Sequence, residues 1–340
     1  MLLPTSTLYS STDFQLSTGE NLPELDIAYE TWGTLAPDAN NAILVCHGYT
    51  NHPHAGDSEG WFANLMDPGK AVDTDKYFVV CSNMLGSAYG TTGPASKNPV
   101  TGKPYGPDFP KYTTADMVAA QLLLIDHLGI NQLKAVMGYS YGGHLTFLWG
   151  VTHPDRMRAL VPIAGVIERK TTMAEVSGIR EQYAACPGWN GGHYYGQKKE
   201  SGVFDVMVKT RKSRLGMYGV GRHLEDTVDD PSMRDRIMQE MAVTWAGQFD
   251  ANSLSALYEA GVGSTAVPNA GNIKAPLLNV LSRTDSVVDV ALGQPTVDML
   301  CDLGVDARFL EIDTEYGHAG PMIDGHKWAD DLRDFLDTVS

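Results

Sequence analysis

The sequence is short of positive charge, of cysteine and of long apolar runs, and each shortage excludes a class of protein. Its 340 residues carry 25 Lys and Arg against 41 Asp and Glu, a formal net charge of −16, which suits neither nucleic acid nor an anionic membrane surface. The four cysteines include no C-x-x-C pair, so we expect neither a disulfide framework nor a zinc site. No apolar run reaches the about 18 residues of a membrane helix. We therefore predict a cytoplasmic enzyme that acts on a small molecule.

Short apolar runs alternate with helical patterns, an arrangement typical of βαβ units and a mostly parallel sheet. We predict strands at 25–32, 42–47, 77–82, 133–138, 159–164, 276–282 and 307–312, and helices at 114–128, from about 142, at 289–303 and at 324–339. Residues 166–265 interrupt the alternation and are nearly neutral, with 13 acidic and 12 basic residues. We predict an α/β core formed by residues 1–165 and 266–340, and a helical cap inserted at 166–265.

The strongest motif is the pentapeptide G-Y-S-Y-G, with Ser140 at its centre. It follows the apolar run K-A-V-M and precedes a helical pattern, which is the context of the nucleophile elbow in α/β-hydrolases. Flanking glycines leave room for the tight crossing of strand and helix. The alternative interpretation is an ordinary strand–turn–helix junction whose serine caps the helix.

A nucleophilic serine needs a base and an acid that orients it, and in α/β-hydrolases the acid precedes the base in the chain. Asp285 and His318 each follow a predicted strand, where open α/β sheets collect their sites. Asp289 and Asp313 are rival acids, and His326 is a rival base. We predict Asp285 and His318.

Two backbone N–H groups should stabilise the oxyanion: that of the residue after the nucleophile and one in the loop after an early strand. Tyr141 and Tyr49, the latter in the segment H-G-Y-T, are the candidates. A plain strand-ending turn is the alternative interpretation of H-G-Y-T.

The cluster of His47, His52, His54 and Asp57 could in principle bind a metal ion. The segment is a loop, and a triad accounts for hydrolytic chemistry without a metal. We therefore expect no metal and no cofactor.

The chain also resembles the homoserine O-acetyltransferase family of the α/β-hydrolases. The resemblance rests on the stretch 83–110 (N-M-L-G-S-A-Y-G-T-T-G-P-A-S-K-N-P-V-T-G-K-P-Y-G-P-D-F-P), on 113–121, and more weakly on C-P-G-W-N-G-G-H-Y at 186–194. It extends from about residue 25 to the C-terminus. It implies the Ser140, Asp285 and His318 triad, a ping-pong mechanism through an acyl-serine, a helical cap that forms a tunnel, and a homodimer.

The chain departs from this family where an amino-acid acceptor would bind. The family has an Arg seven residues before a Tyr on a cap helix, and Arg211 and Tyr218 keep that spacing without the surrounding motif. Arg211 is alternatively one member of a solvated basic run. Family members read G-H-D, and that Asp pairs with the amino group of homoserine, whereas this chain reads Gly317-His318-Ala319. Arg211, Tyr218 and Ala319 are thus the candidate substrate-binding residues.

Three functions follow in order of preference. The first is a serine esterase that hydrolyses short acyl esters, chiefly acetyl esters, through an acyl-Ser140 intermediate. The second is an O-acetyltransferase that moves acetyl from acetyl-CoA to homoserine or another small alcohol. The third is a catalytically dead binding module, which would not require all three triad residues.

Overall fold

Eight strands form the central sheet of the computed structural model, which describes Leu3 and residues 5–339. They are β1 (Thr7–Gln15), β2 (Asn21–Trp32), β3 (Ala42–Cys46), β4 (Phe78–Ser82), β5 (Ala135–Tyr139), β6 (Leu160–Ile163), β7 (Leu277–Ser282) and β8 (Ala307–Ile312). Their order across the sheet is β1-β2-β4-β3-β5-β6-β7-β8. β1 and β2 are antiparallel to their neighbours, and all other pairs are parallel. The mostly parallel sheet that the sequence predicts for an α/β-hydrolase fold is confirmed.

The ten α-helices among the described residues divide into those that flank the sheet and those inserted between β6 and β7. Flanking the sheet are α1 (Thr114–His127), α2 (Tyr141–Thr152), α8 (Gly293–Asp302), α9 (Gly320–Ile323) and α10 (Ala329–Thr338). The inserted helices are α3 (Met173–Ala184), α4 (Val203–Met217), α5 (Val220–Thr227), α6 (Pro231–Gln248) and α7 (Ala251–Ala260). All five inserted helices lie within the predicted cap, whose boundaries at 166 and 265 remain a prediction.

Alternate side chains of the parallel strands form two apolar cores, one on each face of the sheet. Ile43 and Val45 of β3 pack in the core that α10 covers. Leu44, between them, faces the core that contains α1, α2 and much of α7. This follows from the two-residue period of a strand. Because both faces are covered, the inner parallel strands β3 to β7 appear in the sequence as nearly continuous apolar runs, whereas the edge strand β8 keeps exposed charged residues.

Several features differ from the sequence prediction, among them the start of β2, which lies at Asn21 and not at 25. β1 was not predicted, because most of its side chains are exposed and its only fully buried residue is Phe14. α8 begins at Gly293, after a short 3-10 turn that Asp289 caps by accepting a hydrogen bond from the Ala291 N–H. α10 begins at Ala329, so His326 lies in the preceding 3-10 turn and not in the last helix.

Among the residues that the structure describes, none of the helices combines the length and the apolar character that a bilayer crossing requires.

Candidate active site

Ser140 lies at a tight junction between β5 and α2. Its backbone has φ 58° and ψ −111°, a left-handed conformation that is strained for a residue with a side chain. The two flanking glycines allow the crossing: a Cβ on Gly138 would lie 2.0 Å from the carbonyl oxygen of Gly142, and one on Gly142 would lie 2.0 Å from that of Cys46. The side chain of Ser140 makes no helix cap. This junction has the geometry of a nucleophile elbow.

His318 and Asp285 are brought together with Ser140, although 178 residues separate Ser140 from His318. The Nε2 atom of His318 lies 2.7 Å from Ser140 Oγ, and its Nδ1 atom lies 2.7 Å from Asp285 Oδ2. Because a carboxylate only accepts, Nδ1 carries the proton, and Nε2 accepts a hydrogen bond from the serine hydroxyl. The side chains of Asp285 and His318 are 0% and 2% exposed.

Surrounding groups hold both partners in place. The second oxygen of Asp285 accepts hydrogen bonds from the N–H groups of Val287 and Val288, at 2.7 and 3.1 Å. The hydroxyl of Tyr139 donates to the carbonyl oxygen of His318 at 2.9 Å. The orientation of the imidazole therefore depends on a buried network, which is the arrangement that acid–base catalysis requires.

The rival acids make contacts away from the nucleophile, and the rival base is exposed to solvent. Asp313 forms an exposed ion pair with Arg283 at 2.8 Å, and Asp289 caps the turn before α8. His326 is exposed. Of the candidates considered, only Asp285 and His318 are hydrogen-bonded to each other, and His318 is in turn hydrogen-bonded to the nucleophile.

Of the two candidate oxyanion donors, Tyr141 follows the nucleophile as the first residue of α2, and Tyr49 lies in the loop after β3 and lines a cavity together with Ser140. Within the described part of the chain, no group accepts a hydrogen bond from either backbone N–H. Their side chains fix the loops: the Tyr49 hydroxyl donates to Leu254 O at 2.6 Å, and the Tyr141 hydroxyl donates to Leu257 O at 2.9 Å. Burial raises the pKa of Tyr141 to about 12, so this phenol stays a donor.

Arg211, Tyr218 and Ala319 line one cavity together with Ser140 and His318, with a volume of about 180 Å³. We call it the Tyr218 cavity. Ala319 is held in the cavity wall by the hydrogen bond that its N–H donates to Tyr218 O at 2.8 Å. The structure thus brings all three candidate substrate-binding residues to the nucleophile.

Arg211 is held at the cavity wall and does not belong to a solvated face. Its Nη1 donates to Thr50 Oγ1 at 2.8 Å, and its guanidinium lies 5.2 Å from the ring centre of Trp245. Burial lowers the pKa of Arg211. Its Nε atom is buried and has no hydrogen-bond partner among the described residues.

A second cavity, of about 240 Å³, also reaches Ser140. Arg169, Lys170, Glu175 and Tyr258 line it, and we call it the Arg169 cavity. Sequence reasoning missed it. The available signal was the pair Arg169-Lys170 a few residues after β6, at the edge of the sheet where sites collect.

The histidines considered as metal ligands have other contacts. His54 pairs with Glu30 at 2.7 Å, and His47 lies 3.1 Å from Asn83 Oδ1. Burial lowers the pKa values of His47 and His52 to about 4. Across Leu3 and residues 5–339, no group of three or more His, Cys, Asp or Glu side chains is arranged to hold a metal ion.

Comparison with known proteins gives three results. Residues 41–318 match the family described as the alpha/beta hydrolase fold. A homoserine O-acetyltransferase of Methanosphaerula palustris is 37% identical over 98% of this chain and 73% of that protein. Among solved structures, esterase E22 is 25% identical with a TM-score of 0.86, covering 97% of this chain and 99% of that one. A homoserine O-acetyltransferase from Bacillus anthracis is 26% identical with a TM-score of 0.84, covering 98% and 97%.

Proposed function

The chain belongs to the α/β-hydrolase family and is homologous to homoserine O-acetyltransferases, and from this premise we propose that it is a serine esterase. Its substrates are short-chain acyl esters, chiefly acetyl esters, and the acyl group passes through Ser140.

The observation that carries the proposal is the composition of the Tyr218 cavity. Ala319 follows His318, and none of the described residues that line the cavity is Asp or Glu. The ammonium group of homoserine would therefore be buried without an anionic partner. A buried charge left unpaired costs on the order of 3–5 kcal/mol, which is about two to four orders of magnitude in affinity. An ester without an amino group avoids this cost.

In the first half-reaction, Ser140 Oγ attacks the ester carbonyl carbon while His318 Nε2 takes the hydroxyl proton. The backbone N–H groups of Tyr49 and Tyr141 donate to the developing oxyanion. When the tetrahedral intermediate collapses, the bond between carbon and alcohol oxygen breaks. His318 gives its proton to that oxygen, and Asp285 stabilises the transient imidazolium.

In the second half-reaction, water replaces the alcohol. His318 accepts a proton from the water as its oxygen attacks the acyl carbon, and the same N–H groups hold the oxyanion. The bond to Ser140 Oγ then breaks, and the serine regains a proton from the imidazolium. One ester and one water give one carboxylic acid and one alcohol.

The test is to compare two reactions of the purified protein. We expect rapid hydrolysis of p-nitrophenyl acetate and ethyl acetate, and little O-acetylhomoserine from acetyl-CoA and homoserine. Efficient formation of O-acetylhomoserine would overturn the esterase proposal. Ser140→Ala should abolish hydrolysis, and retained hydrolysis would contradict the mechanism.

Ala319→Asp tests the assignment of the cavity. The added carboxylate should lower the KM for homoserine as acyl acceptor, because it supplies the missing partner of the ammonium group. Ala319→Asn is the matched control, since it has nearly the same shape without the charge. Equal KM values for the two variants would contradict the assignment.

An O-acyltransferase is the second candidate function. Arg211 favours it, because a guanidinium beside Ser140 suits an acceptor alcohol that carries a carboxylate. An acceptor without an amine would tolerate Ala319. Acetyl transfer to a hydroxy acid, measured in competition with hydrolysis, separates the two functions. A homodimeric assembly and a cytoplasmic location remain predictions.

A further inference from the structure

Two cavities meet at the nucleophile. Ser140 lines both the Tyr218 cavity and the Arg169 cavity. The carbonyl carbon of a bound ester carries two substituents besides its oxygen, the acyl chain and the alcohol. With that carbon at Ser140, each cavity is available to one of them.

The position of His318 determines which substituent enters which cavity. The imidazolium must reach the leaving oxygen to protonate it. His318 lines the Tyr218 cavity, and in the described part of the chain it does not line the Arg169 cavity. The alcohol therefore occupies the Tyr218 cavity, and the acyl chain extends into the Arg169 cavity.

The Arg169 cavity is larger than an acetyl group needs. Its volume of about 240 Å³ corresponds to roughly eight water molecules at about 30 Å³ each, whereas the methyl group of an acetyl ester has a single carbon. The cavity therefore has room for a chain of several carbons.

The cavity is also cationic. Neither Arg169 nor Lys170 forms an ion pair with a described residue, and Arg169 Nη2 donates only to the Thr171 hydroxyl, at 3.2 Å. The acid on the wall, Glu175, accepts hydrogen bonds from the N–H and hydroxyl of Thr172 at the start of α3.

The guanidinium of Arg169 has a fixed position. It lies 4.2 Å from the ring centre of Tyr141, the residue after the nucleophile, a distance that suits a cation–π contact. Its Nε atom is buried without a hydrogen-bond partner among the described residues. A charged hydrogen-bond donor is thus held at the wall of the cavity into which the acyl chain extends.

We propose that the Arg169 cavity binds the acyl chain and accepts chains that end in a carboxylate, as in the half-esters of short dicarboxylic acids. This inference rests on the proposed function, because it requires an acyl-Ser140 intermediate. The bond from Ser140 Oγ to the acyl carbon forms as the bond to the alcohol breaks, and the serine proton leaves with the alcohol through His318. The distal carboxylate takes no part in these steps and pairs with Arg169 and Lys170.

The experiment measures ethanol release from monoethyl glutarate, ethyl hexanoate and ethyl acetate. The first two have chains of similar length and differ in the terminal carboxylate. We expect kcat/KM for monoethyl glutarate to exceed that for ethyl hexanoate about tenfold, the value of one hydrogen bond to a charged group. In Arg169→Gln the ratio of these two kcat/KM values should fall close to one, and in Arg169→Lys it should lie between that value and the wild-type ratio.

Lys209→Gln is the matched control for charge, because Lys209 is exposed on α4 and its loss changes the net charge equally. If Arg169→Gln does not fold, Lys170→Gln is compared with this control. Equal glutarate-to-hexanoate ratios in the cavity variant and the control would overturn the inference, as would a preference of the wild type for hexanoate. Hydrolysis of ethyl acetate in that case leaves the proposed function standing, whereas no hydrolysis of any ester contradicts both.

Discussion

Replacing Asp285 with Asn should reduce ester hydrolysis by about four orders of magnitude, although the variant keeps the shape of the site. The expected loss follows from the hydrogen bonds at the two carboxylate oxygens. Oδ1 accepts from the N–H groups of Val287 and Val288, and Oδ2 accepts from His318 Nδ1. Because the two N–H groups need an acceptor, the amide oxygen of Asn stays with them, and its NH₂ group faces the imidazole.

An NH₂ group facing Nδ1 reverses the tautomer of His318. Nδ1 then accepts, the proton moves to Nε2, and Nε2 no longer accepts the proton of Ser140. In a serine-protease triad the same substitution lowers kcat by about 10⁴, which corresponds to about 5.4 kcal/mol of transition-state stabilisation. The assay is the initial rate of p-nitrophenyl acetate hydrolysis, with the thermal midpoint as a check on folding.

Asp289→Asn and Asp313→Asn are the matched controls, since they make the same chemical change at the two rival acids. Asp313 forms only an exposed ion pair with Arg283, so we expect both controls to stay within about twofold of the wild type, in line with the small value of such pairs. A loss of less than tenfold in Asp285→Asn, or an equal loss in a control, would refute the reasoning.

Three further predictions concern the framework around the site. Burial lowers the pKa of His144 from 6.5 to about 4, so the unfolded chain binds the proton first and stability falls as pH drops from 6.5 towards 4. At pH 5 this histidine lowers the free energy of unfolding by about 2 kcal/mol. The assay is urea unfolding at pH 7 and pH 5. Between these pH values the free energy of unfolding should fall less in His144→Gln than in the wild type, and it should fall as much as in the wild type in His326→Gln, where the histidine is exposed. An equal decrease in both variants would contradict the prediction. Gly142→Ala places a Cβ 2.0 Å from a backbone oxygen and should destabilise the protein by more than about 3 kcal/mol, so an unchanged thermal midpoint would argue against the elbow geometry. Tyr139→Phe leaves His318 O without its hydroxyl donor and should cost about 1–3 kcal/mol of stability together with a lower kcat, whereas wild-type values would show that the contact is dispensable.

Most of the parallel part of the sheet was predictable because strands β3 to β7 are buried on both faces and appear as short apolar runs. β8 (Ala307–Ile312) is a partly exposed edge strand; it has the predicted limits because it continues the alternation of strands with helical patterns. β1 was not predictable in this way. It is an edge strand with one fully buried side chain, and its pairing with β2 is a contact between backbones that its side-chain pattern does not reveal.

The candidate triad was predictable because the strand order and the chain order of α/β-hydrolases restrict where each partner falls. The second cavity was not. Arg169 lies a few residues after β6 in the sequence, but its position over the Tyr141 ring and beside Ser140 depends on packing between that loop and α2. Tyr139 is a similar case, because its hydrogen bond to His318 O joins residues that are 179 positions apart in the chain.

The sequence by itself determined the fold class and the family, and it identified Ser140, Asp285 and His318 as candidates. Local patterns carry this information: apolar runs of strand length, glycines at a crossing that excludes a Cβ, and polar residues at strand ends. Only the tertiary structure decided that Arg211, Tyr218 and Ala319 share one cavity while Arg169 and Lys170 line another. The shape and charge of a cavity arise from side chains distant in the chain, and no local pattern encodes the distances between them.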